Sequence, residues 1–214
     1  MPHPVPTLIY RFVHVSNLPV LLARAALHAP LHAPEDGLVY RTIHNVDIQD
    51  QRRRTEIPCG PGGVVHDYVA FYFGPRSPML LQLHTGRVDG YDETQEPIIY
   101  LISTAQAIRD SGAPYVFSDG HGIALFTDWF DDLGELDRVD WTAVSARYWV
   151  DTVDEPDRQR RKQSEFLVYK SCPWELISEL AVLNQHMKNR VQTIMADFPA
   201  ALRRQVRIRP ELYY

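Results

Sequence analysis

No G-x-G-x-x-G turn, G-x-x-x-x-G-K-[ST] loop, H-E-x-x-H pair or G-x-S-x-G elbow occurs in these 214 residues. Their absence removes the motif grounds for a Rossmann, P-loop, zincin or α/β-hydrolase site. Cysteine is scarce: Cys59 and Cys172 could form at most one bridge, and neither sits in a C-x-x-C pair. A disulfide framework and a structural zinc site are therefore not indicated, and a reducing, cytoplasmic setting is expected. The opening MPHPVPTLIYRF lacks the charged, apolar and cleavable regions of a signal peptide. No apolar run approaches the roughly 18 residues a spanning helix needs. A soluble protein with no membrane partner is the expectation. A formal net charge of -5 argues against non-specific coating of nucleic acid, which depends on neutralising phosphates.

Hydrophobic residues at 45% and charged residues at 23% suit a globular chain with a substantial core, expected as one domain over residues 1–214. Basic residues cluster at Arg52-Arg53-Arg54, from Arg158 to Lys162, and at Arg203-Arg204 continuing to Arg207 and Arg209. Such runs are usually solvated faces, though together they permit an anionic partner. The patterning predicts strands over 8–15, 68–73, 97–103, 114–118, 165–170 and 180–184. Ser16-Asn17 before Leu18-Pro19 starts a helix expected to run to residue 27, and further helices are expected after Ser103, Ala124, Trp141 and Gln185. Residues 28–63 read as a long loop with one short helix near 46–54, and loops of that length usually act as lids or binding elements. Strands and helices mix without strict alternation, so the fold class is α+β.

Nine histidines are scattered, and His66-Asp67 is the one adjacent pair that tempts a metal reading. Neighbours in an extended chain point to opposite faces, so the pair reads as a turn entering the next strand, and no metal site is expected. Gly62-Gly63 would let backbone approach a ligand, with a plain turn as the simpler reading. In QSEFLVYK, Glu165 stands at the mouth of an apolar strand. It is either a solvated edge carboxylate paired with Lys170 or Arg161, or a placed chemical group.

The segments YRFVHVSNL, IQDQRRR, GGVVHDYVAFYFGPRSPML, PYVFSDGH, QSEFLVYK and LYY, in that order, resemble the DarT family, DNA ADP-ribosyltransferase toxins of bacterial toxin–antitoxin systems. The likeness spans nearly the whole chain. It implies an ADP-ribosyltransferase fold: two packed, roughly orthogonal β-sheets with flanking helices and an NAD cleft. It implies transfer of ADP-ribose from NAD, the co-substrate, to a base in single-stranded DNA, in the main branch thymidine N3, with release of nicotinamide. By position, Glu165 matches the catalytic glutamate and Arg52 the essential arginine, with Arg53 or Arg54 open as alternatives. His14, Val15, Ser16 and Asn17 match the start of the NAD pocket, Tyr72 and Ser77 belong with it, residues 39–59 match the NAD-binding element, and residues 121–165 match the substrate-reading loop. A macrodomain antitoxin is the implied protein partner. Ala70 departs from the family, which commonly shows proline there, and this leaves the placement of Tyr72 open.

The chemistry fits the residue types. Cleaving the nicotinamide–ribose bond builds positive charge on the sugar, which a preorganised carboxylate such as Glu165 stabilises. Thymine N3 carries a proton near neutrality, so its attack needs proton removal or anion stabilisation. Arg52, a permanent cation, suits anion stabilisation and diphosphate contact. His121, Tyr148 and Trp149 could stack on an unpaired base, with core packing as the alternative for the two aromatics. A different acceptor (guanine, RNA or protein) and a binding module without turnover stay open as alternatives.

Overall fold

A computed structural model describes residues 2–43 and 46–214; His44 and Asn45, within the expected NAD-binding element, lie outside the described residues. Among the described residues there are ten strands: β1 Leu8–His14, β2 Ala26–His28, β3 Tyr68–Tyr72, β4 Ile98–Thr104, β5 Tyr115–Ser118, β6 Trp129–Phe130, β7 Glu165–Tyr169, β8 Ser171–Pro173, β9 Glu179–Val182 and β10 Gln205–Ile208. Seven α-helices join them: α1 Leu18–Arg24, α2 Val46–Arg52, α3 Pro78–His84, α4 Ala105–Asp110, α5 Trp141–Ser145, α6 Arg158–Lys162 and α7 Gln185–Ala196. The large sheet runs β10-β9-β4-β1-β3-β7-β5-β6, and β2 and β8 form a small second sheet. The architecture is α+β, as expected.

The large sheet is nearly two. β1 pairs with β4 along seven residues, Leu8↔Thr104 to His14↔Ile98, and β3 pairs with β7 along five, Tyr68↔Tyr169 to Tyr72↔Glu165. Between β1 and β3, however, Tyr10↔Tyr72 is the register pair among the described residues. The two halves meet there and part beyond it. Ala70 pairs with Leu167 in unbroken register, so its departure from proline leaves Tyr72 squarely opposite Glu165.

Alternation along β1 serves two cores, because successive strand side chains face opposite sides. Ile9 and Val13 join the larger core with Leu18 and Leu22 of α1, Ile108 of α4, Val144 of α5 and Val191 of α7. Tyr10 and Phe12 join the other with Tyr100, Ile102, and Leu80 and Leu83 of α3.

Several boundaries differ from expectation. α1 stops at Arg24 because Ala25 turns left-handed at φ 48°, and the residues after it pair with β8 instead of extending the helix. No helix follows Ala124. The ends of that segment are pinned as a loop between β5 and β6 by Asp119 N–H on Asp128 O at 3.2 Å and Asp128 N–H on Asp119 Oδ1 at 2.9 Å. Beyond β3, Arg76-Ser77-Pro78 starts α3, capped by Ser77 Oγ accepting from Leu80 N–H at 3.3 Å.

The basic runs are solvated only in part: Arg53, Arg54, Arg203 and Arg207 are exposed, whereas Arg52 and Lys162 are buried. Lys162 is 1% exposed and donates to Val144 O at 2.6 Å and Ala146 O at 2.9 Å. Arg160 pairs with Asp119 and Asp157, Arg161 with Asp140, and Arg209 with Glu211.

Candidate active site

A cavity of about 370 Å³ opens where β1 and β3 part, a volume in the roughly 300–1,000 Å³ range of ligand sites. Its wall draws on both strands (Arg11, Phe12, Tyr68, Tyr72), on α2 (Gln49, Arg52) and on the loop carrying His121 and Ile123.

Glu165 opens β7 at 1% exposure and is neither solvated nor paired with Lys170 or Arg161. Arg52, at the end of α2, grips it with Nη1 on Oε1 at 2.9 Å and Nη2 on Oε2 at 2.7 Å. Gly122 N–H donates to Oε1 at 3.1 Å, and the Glu165 N–H donates to Ser118 Oγ at 3.1 Å. An isolated carboxylate this deep would cost several kcal/mol, so the bidentate arginine is what permits it. Burial pushes the Glu165 carboxyl up, but the Arg52 guanidinium more than offsets this and holds it below the ordinary range. Burial likewise opposes the Arg52 charge, and Glu165 reverses that, leaving arginine more firmly protonated than usual. A carboxylate has about four lone-pair positions; the three bonds above leave one on Oε2.

Tyr72 faces the same wall. Burial first, then Glu165, pushes its hydroxyl up to about 12, and its ring stacks on Phe12 at 6.0 Å between centroids. His121 lines the cavity and is kept below the ordinary imidazole value by burial, with Glu165 opposing and Arg52 adding to the effect. Asn17 ties down the loop before α2: its Nδ2 donates to Arg41 O at 2.8 Å, and its Oδ1 accepts from Arg41 N–H at 2.7 Å. That clamp holds Tyr40 and Ile43 in the wall.

The structure thus gathers Asn17, Arg52, Tyr72, His121 and Glu165 around one cavity. Arg52, not Arg53 or Arg54, is the arginine on the carboxylate. The other expected residues lie elsewhere. His14 is buried and sits in a polar knot: Ser16 N–H reaches Nδ1 at 3.2 Å, and Nε2 lies 2.9 Å from Glu93 Oε2 and 3.0 Å from Arg41 Nη1. Arg41 Nη1 then closes on Glu93 Oε1 at 2.7 Å. Val15 is fully buried core, Ser16 is exposed, and Ser77 caps α3. Tyr148 is 80% exposed, whereas Trp149 is packed and donates Nε1–H to Tyr214 Oη at 2.8 Å.

Among the lining residues not expected from the sequence are His66 and Arg11. His66 is 4% exposed, its Nε2 faces Gln49 Oε1 at 3.0 Å, and its Nδ1 is buried without a partner among the described residues. Gln49 lies one helical turn before Arg52, so His66 also braces the helix that delivers the guanidinium. His66 and Asp67 form the turn that enters β3, as expected. The signal for Arg11 was a charge at odd parity between Ile9 and Val13 on an otherwise apolar strand face.

A carboxylate kept ionised out of water at the wall of a ligand-sized cavity equips an enzyme to stabilise positive charge in its substrate. The sequence matches the DarT family, described as ssDNA thymidine ADP-ribosyltransferase, over residues 10–214. It is 44% identical over 212 residues to a DNA ADP-ribosyl transferase of Thermus sp. strain 2.9, covering 99% of this chain and 98% of that protein. The fold superimposes on Thermus sp. 2.9 DarT in complex with ADP-ribosylated ssDNA at TM-score 0.93 and 42% identity, covering 100% of this chain and 99% of that one. It superimposes on the same protein in complex with NAD+ at TM-score 0.89 and 42% identity, covering 100% of both chains. The chain belongs to the DarT family and is an NAD-dependent DNA ADP-ribosyltransferase.

Proposed function

We propose that this chain, as one catalytic domain over residues 1–214, transfers ADP-ribose from NAD to N3 of thymine in single-stranded DNA. The observation that carries the reading is the Arg52–Glu165 pair, bidentate at 2.7 and 2.9 Å, at the wall of the cavity between the parted strands. The residues present suit a dinucleotide. Oε2 of Glu165 retains a lone pair for a ribose hydroxyl, and His66 Nδ1, buried and without a partner among the described residues, suits a second donor on the ligand.

NAD supplies the ADP-ribosyl group and the nicotinamide leaving group. Glu165, held ionised, faces the positive charge that develops on the sugar as that bond lengthens. Arg52 keeps the carboxylate ionised and aimed, and its own raised proton affinity removes it as a proton acceptor. His121, kept neutral by burial, is the available acceptor for the thymine N3 proton from the side of the substrate-reading loop. Tyr148, exposed on the loop after α5, is placed to stack on a base, and a single strand is required because the N3 edge is otherwise paired. Trp149, bonded to Tyr214, acts by holding that loop.

Such an activity would block the host's own replication, so a macrodomain antitoxin that removes the mark is proposed as the partner, and the cytoplasm as the site of action. Among the described residues no helix is long and apolar enough to cross a membrane.

The test is mass spectrometry of short oligonucleotides after incubation with NAD. The expected product is one ADP-ribose on thymidine-containing single strands, absent from duplexes and from strands lacking thymidine. Glu165→Ala should abolish it. Because that change strands Arg52, Glu165→Gln with circular dichroism as a fold check carries the result, at a loss of roughly 100-fold or more. Undiminished transfer by a folded Glu165→Gln, or modified protein beside unmodified DNA, would overturn the reading.

A further inference from the structure

The cavity's charges do not balance a dinucleotide if only Arg52 is counted. Arg52 spends both terminal nitrogens on Glu165, and the pair is close to neutral. His66 and His121 are both held toward the neutral form by burial. A dinucleotide carries two negative charges on its diphosphate, and anions of this kind are taken up by guanidinium forks. Among the described residues Arg11 is the remaining cation on the cavity wall, and no carboxylate among them lies within 4.0 Å of it.

Its placement is unusual for a strand of this kind. Residues 9, 11 and 13 share one face of β1, and Ile9 and Val13 are buried core on that face. A guanidinium between them needs a reason. Part of that reason is structural: Arg11 Nη1 donates to Ala70 O at 2.8 Å, across the gap where the β1–β3 ladder has opened. That single bond uses one of five N–H donors. The other nitrogens are not sealed off, since the buried nitrogens without a partner among the described residues belong to His66 and Arg76.

We propose that Arg11 binds the diphosphate of the dinucleotide, the contact that its permanent charge alone would give to Arg52. The assignment rests on the reading of this cavity as the NAD cleft. Arg11 bridges to Ala70 on one side and offers its free edge to the phosphate oxygens on the other, so it joins the opening of the sheet to recognition of the ligand.

Calorimetric titration tests this with three probes: NAD, ADP-ribose, and nicotinamide riboside, which has no phosphate. Arg11→Gln keeps an N–H for Ala70 O and removes the charge. It should weaken NAD and ADP-ribose by roughly ten- to hundredfold, the range of a lost charge-assisted bond, and leave nicotinamide riboside unchanged. Arg11→Lys should restore part of the loss. In the wild type, salt should weaken NAD and ADP-ribose but not nicotinamide riboside, a readout that needs no variant. Equal weakening of all three probes would make Arg11 a strut and overturn the proposal, as would unchanged NAD affinity in Arg11→Gln. Wild-type protein that binds none of the probes would instead sink the underlying NAD reading.

Discussion

Arg52→Ala isolates what the central ion pair does. The substitution leaves Glu165, 1% exposed in the wild type, with Gly122 N–H at 3.1 Å as the remaining donor to its carboxylate among the described residues. Removing one partner of a buried pair costs about 3–5 kcal/mol, because the other charge is left without compensation. For a chain of this size each kcal/mol moves Tm by about 2–4 °C, so a drop of about 6–20 °C is expected at neutral pH. The pH dependence then separates this cause from simple loss of packing. In the wild type the Glu165 carboxyl is held low by Arg52, so its stabilisation is complete above the unfolded carboxyl value and is lost as pH falls through the depressed one. Without Arg52, burial is the dominant influence and raises the carboxyl above its unfolded value. Protonation then stabilises the variant as pH falls through that raised value. The gap in Tm between wild type and Arg52→Ala, followed by differential scanning calorimetry from pH 8 to pH 4, should therefore narrow toward acid. A double variant with Glu165→Gln should recover part of the loss at pH 7. A gap under 1 °C, or one that stays constant with pH, would refute the account of Arg52 as the counter-charge that keeps Glu165 ionised.

Three further outcomes are expected. In Gly122→Ala the new Cβ would lie 3.2 Å from both Glu165 Oε1 and Trp129, so the carboxylate must shift by tenths of an ångström; kcat should fall by roughly tenfold or more with Tm little changed, measured by oligonucleotide labelling. Tyr148→Ala should weaken single-stranded DNA by about 1–3 kcal/mol in fluorescence anisotropy without altering Tm, whereas Trp149→Phe, which breaks the bond to Tyr214 Oη, should lower Tm by a few degrees. The kcat–pH profile should keep its activity below the ordinary imidazole value before its acid limb, because burial lowers His121, and in His121→Gln that limb should vanish.

The strands were legible because each carries enough β-branched and aromatic residues in a bounded run; β3, β4, β5 and β7 fall within a residue or two of their expected limits. The short helix before the arginine run was legible as well, and α2 ends on Arg52 itself. What local pattern could not supply was anything set by partners distant in the chain. β2 and β8 are three residues each and exist because they pair with one another. β10 is a parallel partner of β9, and its Gln205 to Ile208 run, flanked by arginines, reads as a charged tail until Glu179 is seen beside it.

The site divides along the same line. Glu165 and Arg52 are 113 positions apart, and nothing local to either says that two charges will be buried against each other. Taken alone, each obeys a surface prior: glutamate at a strand mouth, arginine in a basic run. The prior fails for both together, since burying either one alone is prohibitive and burying the pair is not. His14 and Ser77, expected at the NAD pocket, are not among the residues lining the cavity, and their polar atoms are answered by Glu93, Ser16 and the start of α3. Arg11, whose charge no carboxylate within 4.0 Å answers among the described residues, and His66, whose Nδ1 has no partner among them, are left facing the cavity. Buried polar groups are nearly always satisfied in folded proteins, so a partnerless buried nitrogen such as His66 Nδ1 at a cavity marks where a ligand supplies the missing half of the bond.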